Sequence, residues 1–89
     1  MSRIEKLITR FYSIPRDFTW DELVNVLEYY GYDEMKKGKT AGSRRKFVNE
    51  IEPGTFRIIS LHKPHPGNIV KEYAIKQVIE HLKKENNNE

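Results

Sequence analysis

The sequence predicts an α+β domain, a three-stranded antiparallel sheet with helices packed on one face. Three observations lead there. Residues 2–12, 19–30 and 68–84 repeat apolar side chains at helical spacing. Residues 56–63 concentrate the aromatic and β-branched content of a strand, with Phe56, Ile58, Ile59 and Leu61 expected in the sheet interior. Pro53-Gly54 is a turn dipeptide that folds this run back onto residues 44–49. The order helix, helix, three strands, helix makes a meander the simplest topology. At 89 residues the chain has room for one domain, residues 1–84, with one modest core.

Each element carries its own punctuation. Ser2 and Glu5 have capping-box spacing, and Ile4, Leu7, Ile8 and Phe11 share one helical face before Pro15 interrupts. Thr19 and Glu22 repeat the box, and Trp20, Leu23, Val24, Leu27 and Tyr30 line a broad apolar stripe that Gly31 closes. A short first strand is expected over residues 32–37 and a loop over 38–42, where two glycines and a threonine fall. Residues 44–49 alternate as a second strand, and Pro64 ends the third. The last helix is expected to begin with Asn68 as its cap and to bury Ile69, Tyr73, Ile75, Val78, Ile79 and Leu82. Residues 85–89 have nothing to bury and are expected to fray.

Composition narrows the chemistry. The absence of cysteine removes disulfides and thiolate metal sites and fits a reducing cytoplasm. Residues 1–9 are interrupted by Arg3, Glu5 and Lys6, so they do not read as a signal peptide, and no run reaches membrane-spanning length. The net charge of +3 is modest, but its distribution is uneven. Six cations and no acid fall between residues 36 and 47, namely Lys36, Lys37, Lys39, Arg44, Arg45 and Lys46. Such a run suits a polyanion, and a merely solvated loop is the plain alternative.

At the exit of the strongest strand stand His62 and His65, with Lys63 between them. Imidazole can act as acid or base near neutral pH. Two histidines there can equally occupy an exposed strand end and fix a proline-flanked turn. A metal site lacks an evident third ligand, so neither metal nor cofactor is expected. Ser43 has no neighbouring base that would make it a nucleophile, and is read as a hydrogen-bond donor to phosphate. Tyr29, Tyr30 and Tyr32 offer rings for base stacking, although core packing at the helix-to-strand junction is the plainer role.

Four pieces of the chain, in order, resemble the HicA-type toxins. They are Thr19-Trp20-Asp21-Glu22-Leu23-Val24, Gly31-Tyr32, Gly42-Ser43-Arg44 and His65-Pro66-Gly67. The resemblance spans residues 19–84 and leaves residues 1–13 as an N-terminal helical extension. It implies a double-stranded-RNA-binding-like α-β-β-β-α core, cleavage of messenger RNA without a metal, and a HicB-like antitoxin as partner. One position departs from the pattern: where the best-known members carry histidine after Gly-Ser, this chain has Arg44. A guanidinium stays protonated and cannot exchange protons as imidazole does. The resemblance carries over only to His65, in His65-Pro66-Gly67. From the residues themselves, acid–base chemistry is expected of His62 and His65 with Arg44 stabilising charge, and RNA binding of Lys36, Lys37, Lys39, Ser43, Arg45, Lys46 and Lys63. A non-catalytic RNA-binding module of the same fold, or a domain that binds an acidic protein, is the alternative.

Overall fold

The computed structural model describes residues 2–35 and 44–87. Along the chain run α1 (Arg3–Tyr12), α2 (Trp20–Tyr29), β1 (Asp33–Glu34), β2 (Arg44–Glu52), β3 (Thr55–His62) and α3 (Glu72–Asn87). The strands form one antiparallel sheet in the order β1-β2-β3. The α+β meander expected from the sequence is thus the fold.

Local chemistry sets the helix starts. Glu5 N–H donates to Ser2 Oγ at 3.2 Å while Ser2 N–H returns to Glu5 Oε1 at 3.3 Å. Thr19 and Glu22 repeat the exchange at the start of α2, at 3.2 and 2.9 Å. These boxes satisfy amides that the first helical turn leaves without partners. At the end of α2 the chain turns through Gly31, at φ 91°, where an added Cβ would lie 3.2 Å from Asn49 Oδ1. The end of α1 is less usual: Ile14, a β-branched residue, takes φ 55° while its N–H donates to Phe11 O.

The core lies between the helices and one face of the sheet. Phe47, Ile59 and Leu61 point inward from β2 and β3 and are buried, as are Trp20, Leu23 and Leu27 of α2 and Ile75, Val78 and Leu82 of α3. The Trp20 and Phe47 rings meet at 5.7 Å. Helix α1 packs on α2, burying Phe11 against Phe18. Its Arg10 lies over the Phe18 ring and donates to Glu22 Oε2 at 2.9 Å and to Asp17. Burial alone would raise the Glu22 carboxyl, but the hydrogen bonds from Thr19 and Arg10 outweigh it and hold the group below its ordinary range. The hydroxyls of Tyr12 and Tyr30 meet at 3.2 Å; burial, then this contact, pushes Tyr30 up to about 12.

Several expectations need correction. The last helix starts at Glu72, not at Asn68, because residues 68–70 pair with the chain entering α2: Trp20 N–H donates to Asn68 O and Val70 N–H to Phe18 O, both at 2.7 Å, around a Thr19–Ile69 bridge. Tertiary pairing there displaces a locally favourable cap. Ile69 and Tyr73, expected in the core, are exposed. The helix also runs to Asn87, past the expected end at Lys84. Phe56 and Ile58 are each 53 % exposed, because strand alternation sends them to the outer face, which no helix among the described residues covers. Among the described residues β1 comprises Asp33–Glu34, residues 36 and 37 of the expected strand and the expected loop over 38–42 lying outside them. Strand β2 continues past Asn49 to Glu52 through a register shift between Glu50 and Glu52.

Candidate functional site

The β2–β3 hairpin sets the geometry. Its register places Arg44 opposite His62, Lys46 opposite Ser60 and Val48 opposite Ile58. Phe47, Ile59 and Leu61 face the core, so these three pairs lie on the outer face. Directly opposed residues of an antiparallel pair have Cβ atoms about 4.5–5.5 Å apart, within reach of one shared ligand. Arg44 opens β2 and His62 closes β3, so the pair occupies the open end of the hairpin with both side chains exposed.

His65 lies three residues beyond His62, exposed, in a segment that turns through Gly67 at φ 87°. Its reach is limited on both sides. The strand ends at His62, and the Asn68 carbonyl is tied to Trp20 N–H at the start of α2. Lys63 is exposed beside it. Arg44, Lys46 and His62 thus share the outer face at one end of the sheet, and Lys63 and His65 follow His62 in the chain.

Arg45 has a different setting. One residue out of phase with Arg44, it points to the helix-facing side, its side chain is 10 % exposed, and its Nε lies 3.3 Å from Glu34 Oε2. The guanidinium joins β1 to β2. Alternation counted outward from Phe47 would have assigned it this side; the uniform charge of the run concealed the distinction. Lys36, Lys37, Lys39 and Ser43 lie outside the described residues. Of the three tyrosines, Tyr32 is buried with its hydroxyl lacking a partner among the described residues, whereas Tyr29 is exposed and meets Tyr30 edge-on at 5.2 Å. Among the described residues no three His, Cys, Asp or Glu side chains converge as metal ligands.

The N-terminus of α3 is a poor phosphate site. Glu72 occupies the first helical position and pairs with Arg16 at 3.3 Å, and a carboxylate there repels an anion. Sequence reasoning also missed Ser60, which faces Lys46, and Glu34, which holds Arg45.

A comparison with protein-family models matches residues 20–84 to the HicA toxin of bacterial toxin–antitoxin pairs. The chain belongs to the HicA toxin family. No curated protein and no solved structure matched. The HicA match opens at Trp20, the first residue of α2, and includes the whole β2–β3 hairpin with Arg44, His62 and His65. Helix α1 precedes the matched residues and packs on α2. As a HicA toxin the protein belongs to a toxin–antitoxin system and has a cognate antitoxin as its partner. Among the described residues no helix is long and apolar enough to cross a membrane.

Proposed function

We propose that this HicA toxin is a metal-independent endoribonuclease that cleaves messenger RNA in the cytoplasm and is held inactive by a HicB-like antitoxin. The observation that carries the reading is the register pair Arg44–His62 on the exposed face, with Lys46 beside it and His65 in the tethered segment beyond.

Cleavage of an RNA phosphodiester by its own 2′-hydroxyl needs a base, an acid and positive charge on the phosphorane-like transition state. One imidazole, of His62 or His65, takes the 2′-hydroxyl proton. The 2′-oxygen then attacks the adjacent phosphorus and the bond to the 5′-oxygen breaks. The departing oxygen takes a proton from the other histidine in its imidazolium form, leaving a cyclic phosphate and a 5′-hydroxyl. Arg44, directly across from His62, stabilises the charge on the non-bridging oxygens. Lys46 and Lys63, with Lys36, Lys37, Lys39 and Ser43 from the segment before β2, hold neighbouring phosphates without reading sequence. Arg45 serves the sheet.

The test is induction of the wild type and of His62→Ala, His65→Ala and Arg44→Ala in cells, with growth and transcript integrity followed. Wild-type induction should arrest growth and fragment transcripts, and each substitution should relieve both. Arrest that survives loss of both histidines rejects the assignment. The arginine after Gly42-Ser43 favours a second reading, an RNA-binding module without catalysis. It is supported if transcripts stay intact while the protein retains RNA in a salt-dependent manner.

A further inference from the structure

The outer face of the sheet changes character along its length. At the open end of the hairpin stand Arg44 and His62, followed by Lys46 opposite Ser60. The next row is Val48 opposite Ile58, and the last is Glu50 opposite Phe56. From β1, Asp33 stands beside Val48. Phe56 and Ile58 are about half exposed and Val48 is half-buried. Phe56 and Ile58, with Val48 across from Ile58, form one apolar group on the outer face, and such a group marks an interaction surface where single exposed hydrophobics are ordinary.

Charge indicates what covers it. Asp33 and Glu50 flank the apolar rows, so a phosphate backbone lying across them would meet carboxylates with no opposing cation in those rows. Such a strip disfavours RNA and suits a protein, while the adjoining Arg44–Lys46 rows suit an anion. The family supplies a protein partner, the cognate antitoxin.

We propose that the antitoxin anchors on the Val48–Ile58–Phe56 strip, with apolar side chains at the centre of its contact, a cation facing Asp33 and Glu50, and a carboxylate facing Lys46 and Arg44. Anchored there, it overlaps the Arg44–His62 end and excludes the polyanion from it. Binding energy and inhibition thus come from adjacent halves of one surface. This rests on the antitoxin reading above and not on the cleavage chemistry.

The experiment co-expresses the toxin with its cognate antitoxin, and measures both growth and the affinity of the purified pair. Ile58→Asp and Phe56→Ser are the probes, with thermal unfolding of each confirming that it folds. The expected result is affinity weaker by roughly 30-fold, the scale of losing one interface hot spot, with growth arrest no longer relieved by the partner. RNA retention by either variant should equal that of the wild type. Full neutralisation of both folded variants overturns the proposal, as does a loss of RNA retention with antitoxin affinity intact. If the wild type arrests no growth, the cleavage reading fails, while the affinity measurement still decides the docking surface.

Discussion

Arg44, the first residue of β2, stands directly opposite His62, the last residue of β3, on the outer face of the sheet. Two residues eighteen positions apart share one end of a hairpin because the Pro53-Gly54 turn folds one strand onto the other. If they act on the same phosphate, their contributions are coupled. His62→Ala and Arg44→Ala should each reduce RNA cleavage by about 100-fold or more, within the range for a general acid or base and for transition-state charge stabilisation. The double variant should lose less than the product of the two, as residues acting as a unit do. Strict multiplicativity in a cleavage assay would show that they act on separate steps or sites.

Adjacent cations should divide between stability and binding. Glu34→Gln removes the anion 3.3 Å from the largely buried Arg45 and should lower stability by about 1 kcal/mol. Lys46→Ala, on the exposed side, should change stability by less than about 0.5 kcal/mol. The same substitution should weaken RNA retention and reduce its logarithmic salt slope by about one. Urea titration and retention at several salt concentrations measure the two effects. A stability loss at Lys46 equal to that at Glu34 would contradict the face assignment.

Ile14 holds a left-handed backbone angle, φ 55°, which costs an L-residue roughly 1–2 kcal/mol and glycine almost nothing. Both Ile14→Ala and Ile14→Gly lose the packing of its half-buried side chain. Only glycine relieves the backbone. Ile14→Gly should therefore be more stable than Ile14→Ala by about 1 kcal/mol, the reverse of the order found in regular helix. Equilibrium unfolding of the pair decides the matter.

Glu22 should make the α1–α2 junction sensitive to acid. Its folded value lies below the ordinary glutamate value of 4.5, so folding favours the carboxylate. That stabilisation is present above the unfolded value and is lost as the pH falls through the lower folded value. Lowering the pH from 5 toward 3 should reduce the melting temperature of the wild type more steeply than that of Glu22→Gln, which cannot titrate. Tyr30 works in the opposite sense at high pH: its hydroxyl is raised to about 12, so the stability tied to the neutral phenol persists below 10 and declines as the pH climbs through 12. Parallel pH profiles for Glu22→Gln and the wild type would remove Glu22 as the acid sensor.

Features governed by neighbours in sequence were legible beforehand. Both capping boxes, the Gly31 turn and the hairpin that brings Arg44 to His62 follow from residues within a few positions of one another or from one strong turn. Features governed by distant partners were not. Asn68 is a good helix cap by composition, yet its carbonyl and its neighbours are claimed by residues 18–20, and the helix waits until Glu72. Phe56 and Ile58 read as interior because a strand sequence specifies which residues share a face but not whether both faces are covered. Arg45 was hidden in a run of like charges, where only its phase relative to Phe47 separates it from Arg44 and Lys46.

The clasp between residues 18–20 and 68–70 links points about fifty residues apart in the chain. Closing a loop of that size costs roughly 3.5 kcal/mol in chain entropy. Two backbone hydrogen bonds, at about 1 kcal/mol each, do not meet it. The buried side chains of Phe18 and Val70 supply the remainder, at about 1.5–3 kcal/mol apiece. The clasp is thus stable only together with the core, and the loop bearing His65 is tethered by the same cooperative event that folds the whole domain. Its downstream anchor does not fray separately: amides at the clasp should exchange with solvent only as fast as the molecule unfolds.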